Sequence, residues 1–131
     1  MNSFSDEIKK MEFFRDYGPV SQKQIDEAME KLQVVFADDF VEYLKEHGVA
    51  SFGGHEFVGI CDAKRLNVVD ATIYARSISR EDIANLYVIE QTNYDGRIIW
   101  QSSNGEIYES INGEKPVKIC GSLLEYVANG T

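Results

Sequence analysis

The sequence predicts an α+β fold in which helices come first, an antiparallel sheet follows and a last helix closes the chain. Two observations predict this order. Apolar residues recur at helical spacing in the first part of the chain, whereas the second part has short apolar stretches separated by glycine-containing turns. Short turns favour antiparallel neighbours, and amphipathic helices can cover a sheet face. With 131 residues and no repeat or linker, we expect one domain, residues 1–131.

Three helices are expected before the sheet. The first covers Phe4–Phe14, where apolar residues recur at steps of three and four. The second follows Ser21, because Ser21 and Gln24 have the spacing of a capping box. The third covers about Ala37–His47, and Gly48 supplies the residue that commonly ends a helix.

The sheet is predicted from turn signals and from the apolar stretches between them. Turns are expected at Gly53-Gly54, Tyr94-Asp95-Gly96, Asn104-Gly105 and Asn112-Gly113, and strands at Glu56–Cys61, Leu86–Glu90, Arg97–Gln101, Glu106–Ile111 and Val117–Cys120. A two-residue loop at Asn104-Gly105 would place Gln101 opposite Tyr108. The segment Leu66–Arg76 fits a helix by spacing and a strand by its β-branched residues, and we favour a short helix. Ser122 and Glu125 form a second capping-box pattern before the last helix.

The charge excludes several classes of partner. The chain has 13 basic and 22 acidic residues, a formal net charge of −9, and the excess is present in both halves. Nucleic acid and anionic membrane surfaces are therefore not expected partners, because both need a basic surface. No apolar run approaches the roughly 20 residues of a membrane span, and the start has no secretory pattern, so the cytoplasm is expected.

No residue pattern indicates catalysis, a metal or a cofactor. His47 and His55 lack the spacing of metal ligands, and we expect them at the surface or at helix caps. Cys61 and Cys120 are expected to be buried thiols, since a cytosolic setting argues against a disulfide between them. A small enzyme is the least favoured of three functional hypotheses.

The order of several degenerate motifs resembles the SUKH superfamily, in its branch related to the yeast cell-wall-assembly regulator. The resemblance covers roughly residues 18–128. The motifs are Ser21-x-x-x-Ile25, Phe36-Ala37-Asp38-Asp39-Phe40, Phe52-Gly53-Gly54-x-Glu56-Phe57, Asn67-Val68-Val69, Ser103-x-Gly105-x-Ile107-Tyr108, Pro116-x-Lys118-Ile119 and Ser122-Leu123-x-Glu125-Tyr126. The family usually has proline at the position of Ala37. Because proline suits the first turn of a helix, we expect Ala37→Pro to be neutral or stabilising.

The resemblance implies an α+β binding scaffold with no shared catalytic residues. In bacteria such proteins commonly act as immunity proteins, which bind and neutralise a toxin that is often a nuclease. The first hypothesis is therefore a non-enzymatic immunity protein or antitoxin, monomeric or a weak homodimer. The second is a protein-interaction module in a regulatory or cell-wall-related complex.

The partner-binding residues are expected among aromatic residues that lie beside acids. A nuclease must present cations to hold phosphates, so a protein at −9 can match it in charge. Tyrosine adds contact area at a low entropic cost. The candidates are Glu56, Glu90, Tyr94, Asp95, Glu106 and Tyr108.

Overall fold

The computed structural model describes residues 3–80, 83–92 and 96–128, and the predicted α+β class is confirmed. In these residues, the helices are α1 Phe4–Ile8, α2 Gln22–Leu32, α3 Asp38–His47, α4 Val68–Ile78 and α5 Leu123–Ala128. The strands are β1 Arg15–Asp16, β2 Ala50–Phe52, β3 His55–Phe57, β4 Leu86–Gln91, β5 Arg97–Ser102, β6 Ile107–Ile111 and β7 Val117–Cys120. The strands form one seven-stranded antiparallel sheet in chain order.

Helices α3 and α5 contact one face of this sheet, which we call the front face. Opposed residues of antiparallel strands share a face, so the pairs Tyr87–Gln101 and Glu90–Ile99 mark it. The Tyr87 hydroxyl accepts a hydrogen bond from the Ala37 N–H at the start of α3, 2.8 Å away. The Tyr126 hydroxyl of α5 donates to Glu90 over 2.6 Å.

Helix α4 crosses the opposite face, the back face. The Thr72 hydroxyl accepts from the Val88 N–H of β4 at 3.0 Å, and just after α4 the Arg80 N–H donates to the Gly113 carbonyl at 3.0 Å. The helix therefore passes over β5 between these contacts. Trp100 of β5 is 1% exposed and donates to the Ser110 hydroxyl over 2.9 Å.

The ambiguous segment Leu66–Arg76 is helical after a short 3₁₀ turn, Lys64–Leu66. The Asn67 side chain accepts from the Val69 N–H at 2.9 Å and thereby caps α4. The β-branched residues do not prevent the helix, because its buried residues recur at helical spacing: Val68, Ala71, Thr72 and Ala75. The favoured short helix is confirmed.

The first predicted helix is too long. Helix α1 ends at Ile8, and the chain then joins the sheet, where Arg15 pairs with Ser51. The Gly53 N–H donates to the Glu12 carbonyl over 2.8 Å, and Phe13 has a φ of 59°. Pairing with the sheet overrides the local helical spacing at residues 9–14. The strand predicted over Glu56–Cys61 is likewise shorter and ends at Phe57.

The predicted register of the β5–β6 hairpin is wrong by one residue. Gln101 lies opposite Ile107, and Trp100 lies opposite Tyr108. The loop has three residues, because Ser102 and Glu106 are bonded through the Ser102 N–H at 3.0 Å. Gly105 closes the loop at a φ of +96°, a conformation that suits a three-residue hairpin.

Candidate functional site

The predicted residues Glu106 and Tyr108 contact each other at the start of β6. The Tyr108 hydroxyl donates to Glu106 Oε1 over 3.1 Å. Lys118 of β7 lies opposite Tyr108 in the register and donates to Glu106 Oε2 over 2.7 Å. The ammonium of Lys118 lowers the pKa of Glu106, so this carboxylate stays ionised. We call Glu106, Tyr108 and Lys118 the hairpin patch.

Glu56 lies on β3, far from the hairpin patch. Three strand spacings of about 4.8 Å separate β3 from β6, so these two sets cannot form one compact site. Glu56 accepts from the Arg65 guanidinium over 2.7 Å, and both side chains are exposed. Depressions of about 260 Å³ beside Tyr17 and about 250 Å³ beside Gln91 adjoin this ion pair. Sequence reasoning missed Arg65, because nothing along the chain links it to Glu56.

Glu90 is a correction to the predicted set, since it lies in the interior at 4% exposure. A bulge in β4 between Val88 and Glu90 accompanies its position opposite Ile99 on the front face. Its oxygens accept from the Tyr126 hydroxyl at 2.6 Å and the Glu56 N–H at 3.1 Å, and the His55 ring lies 3.1 Å away. Burial, followed by the charge of Glu90, raises the pKa of Tyr126. This carboxylate joins β3, β4 and α5 and offers a partner no contact.

The two histidines are also placed differently from the expectation of surface or capping positions. His47 is 1% exposed, and its ring nitrogens lie 2.7 Å from Asp16 Oδ2 and 3.0 Å from the Ser5 carbonyl. His55 is 8% exposed beside Glu90. Both rings connect elements of the fold. Cys61 and Cys120 are free thiols, and Cys120 is buried as expected, whereas Cys61 is half-buried.

Tyr94 and Asp95 lie outside the described residues, so their part in a binding surface stays a prediction. Within the described ranges, no group of three His, Cys, Asp or Glu side chains is arranged to hold a metal ion. Over the same part of the chain, no helix is long and apolar enough to cross a membrane.

Comparison with known proteins gives one family match. The family model SUKH_5, described as SMI1-KNR4 cell-wall, matches residues 1–129. No curated protein gives a significant match to the chain.

Proposed function

Because this chain belongs to the SUKH_5 family, described as SMI1-KNR4 cell-wall, we propose that it is an immunity protein that binds and neutralises a cognate bacterial toxin. Family membership over residues 1–129 is the observation that carries the proposal, since it supports a protein-interaction or immunity-type role. The cognate toxin, its nuclease class and the absence of catalysis are our inference. Neutralisation in the cytoplasm would need binding alone, with no cofactor.

The charge of the chain supports a basic toxin as the partner. At −9, the protein attracts a cationic surface over about 10 Å at 0.1 M salt. Complementary charge mainly raises the association rate, and contacts at short range then hold the complex. Covering the phosphate-binding cations of a nuclease would block its substrate.

The candidates for these contacts are the exposed Glu56 and the hairpin patch, in which Glu106 and Tyr108 are half-buried, with Tyr94 and Asp95 retained from the sequence. Glu56 and Glu106 each hold a cation, Arg65 and Lys118, at 2.7 Å. A basic partner must therefore compete with these internal cations at both positions. Surface ion pairs are weak, at about 0–1 kcal/mol, so such exchange is feasible.

The second hypothesis is a module in a regulatory or cell-wall-related complex, and the cell-wall description of the family favours keeping it as the alternative. Survival of bacteria separates the two. The probe is the toxin domain encoded beside the gene for this chain, expressed with and without the protein. We expect rescue of growth, together with direct binding of the purified, catalytically inactivated domain. Absence of both rescue and binding would reject the immunity proposal and favour the interaction module.

A further inference from the structure

Helix α4 exposes apolar side chains where an amphipathic helix ordinarily carries polar ones. Ile73, Tyr74 and Ile78 are 54%, 59% and 45% exposed. The other side of the helix is buried, and there the Thr72 hydroxyl accepts from the Val88 N–H of β4. Large apolar side chains that adjoin each other on a surface commonly mark an interaction site. We call Ile73, Tyr74 and Ile78 the α4 face.

A depression of about 380 Å³ lies beside the α4 face. Asp70, Ala71, Ile73 and Tyr74 line it from α4, and Lys64 and Arg65 line it from the 3₁₀ turn. This volume is large enough for an apolar side chain of a partner. Tyrosine and arginine at such a position are typical of the residues that dominate binding energy at interfaces.

Carboxylates without an ion-pair partner line a second depression beside α4, and Asp70 borders both depressions. Glu27 of α2, Asp62 and Asp70 line this depression of about 280 Å³ and are all exposed. None of the three has an ion-pair partner among residues 3–80, 83–92 and 96–128. Lys31 also lines this depression. These acids thus differ from Glu56 and Glu106, which already hold a cation.

We propose that the α4 face is the docking surface for the basic toxin, an inference that rests on the proposed function. The toxin places an apolar side chain between Tyr74 and the 3₁₀ turn and sets arginine or lysine side chains against Glu27, Asp62 and Asp70. The net charge of −9 favours a basic partner over a second copy of this chain, because two copies at −9 repel each other.

The test is the dissociation constant of the purified, catalytically inactivated toxin domain. The variant Ile73→Ala/Tyr74→Ala removes the apolar anchors and keeps good helix formers. Its matched control, Val117→Ala/Ile119→Ala, truncates side chains that are 64% and 41% exposed on β7, the far edge strand. We expect about a tenfold or greater loss for the α4 variant and less than about threefold for the control. Circular dichroism and thermal unfolding confirm that both variants fold.

A second pair of variants tests the charge. Glu27→Lys should weaken binding more than Glu42→Lys, which makes the same change on the exposed side of α3. If wild-type protein binds the toxin, but each variant has the same dissociation constant as its control, the docking surface is wrong and the proposed function still stands. A wild-type dimer that Ile73→Ala/Tyr74→Ala dissociates would show that a second copy covers the face. If wild-type protein does not bind the toxin at all, both proposals fail.

Discussion

Ala37 shows how one backbone hydrogen bond reverses an expectation drawn from the family. Its φ of −64° would suit proline, but its N–H donates to the Tyr87 hydroxyl at 2.8 Å in the interior. Proline removes this donor and places its ring where the hydroxyl lies. We therefore expect Ala37→Pro to lower the free energy of unfolding by about 1–3 kcal/mol.

The matched control places proline one residue later. Asp38 is exposed and is the first helical residue, where the N–H needs no helical partner. Asp38→Pro should change the free energy of unfolding by less than about 1 kcal/mol. Chemical denaturation of both variants measures the difference, and equal stabilities would contradict the role given to the Ala37 N–H.

Glu90, which we predicted from the sequence to bind the partner, is an interior residue, and its burial leads to a second prediction. Alanine at this position leaves the Glu56 N–H, the Tyr126 hydroxyl and the His55 ring without their acceptor. We expect Glu90→Ala to destabilise the fold by about 3–5 kcal/mol. Glu106→Ala removes only a surface ion pair of a half-buried carboxylate and should leave the melting temperature nearly unchanged. The reverse ranking would mean that Glu90 is not the interior acceptor described above.

Among the elements, α2 was predictable and α1 was not, for a physical reason. The capping box at α2 is local, since Ser21 and Gln24 bond each other's backbone N–H groups within one turn. The end of α1 and the pairing of Arg15 with Ser51 depend on a strand far along the chain. The same difference between local and long-range contacts decided which parts of the candidate site could be predicted. The contact of Glu106 with Tyr108 is local, whereas the burial of Glu90 and the pairing of Glu56 with Arg65 required the folded chain.

Asp39 links three elements and predicts a pH dependence. Its oxygens accept from the Gln101 amide of β5 at 2.9 Å and the Leu123 N–H of α5 at 3.1 Å. Burial raises the pKa of Asp39 above 3.8, although both hydrogen bonds act in the opposite sense. The raised folded-state pKa means that ionisation disfavours the folded state. This penalty is present above the raised pKa and absent below the unfolded value.

The measurement is the stability difference between wild type and Asp39→Asn, taken at neutral pH and near pH 3.8, the ordinary value. Asparagine does not titrate, so subtraction removes the other carboxylates. Wild type should gain stability relative to the variant as the pH falls through the range just above 3.8. A relative loss over that range would show that the hydrogen bonds outweigh burial.

Across the whole molecule, the carboxylates discussed above fall into two groups, with and without an ion-pair partner. Glu56, Glu106, Glu109 and Glu114 are paired with cations of neighbouring elements. Glu27, Asp62 and Asp70 beside α4 have no such partner within the described ranges. Of the acids behind the net charge of −9, these three can therefore bind a basic protein without first releasing a cation of the fold. Steering by the whole charge and docking at the α4 face are therefore separable contributions to binding.

We expect the net charge of −9 to guide the protein to a basic toxin. The most direct test of this expectation is the association rate of the purified, inactivated toxin domain between about 50 and 500 mM salt, for wild type and for Asp95→Lys/Glu106→Lys. We expect the wild-type rate to fall about tenfold or more as salt rises, and the double variant to associate more slowly at low salt. A rate that is insensitive to salt and to both charge reversals would show that charge does not guide the protein to the toxin.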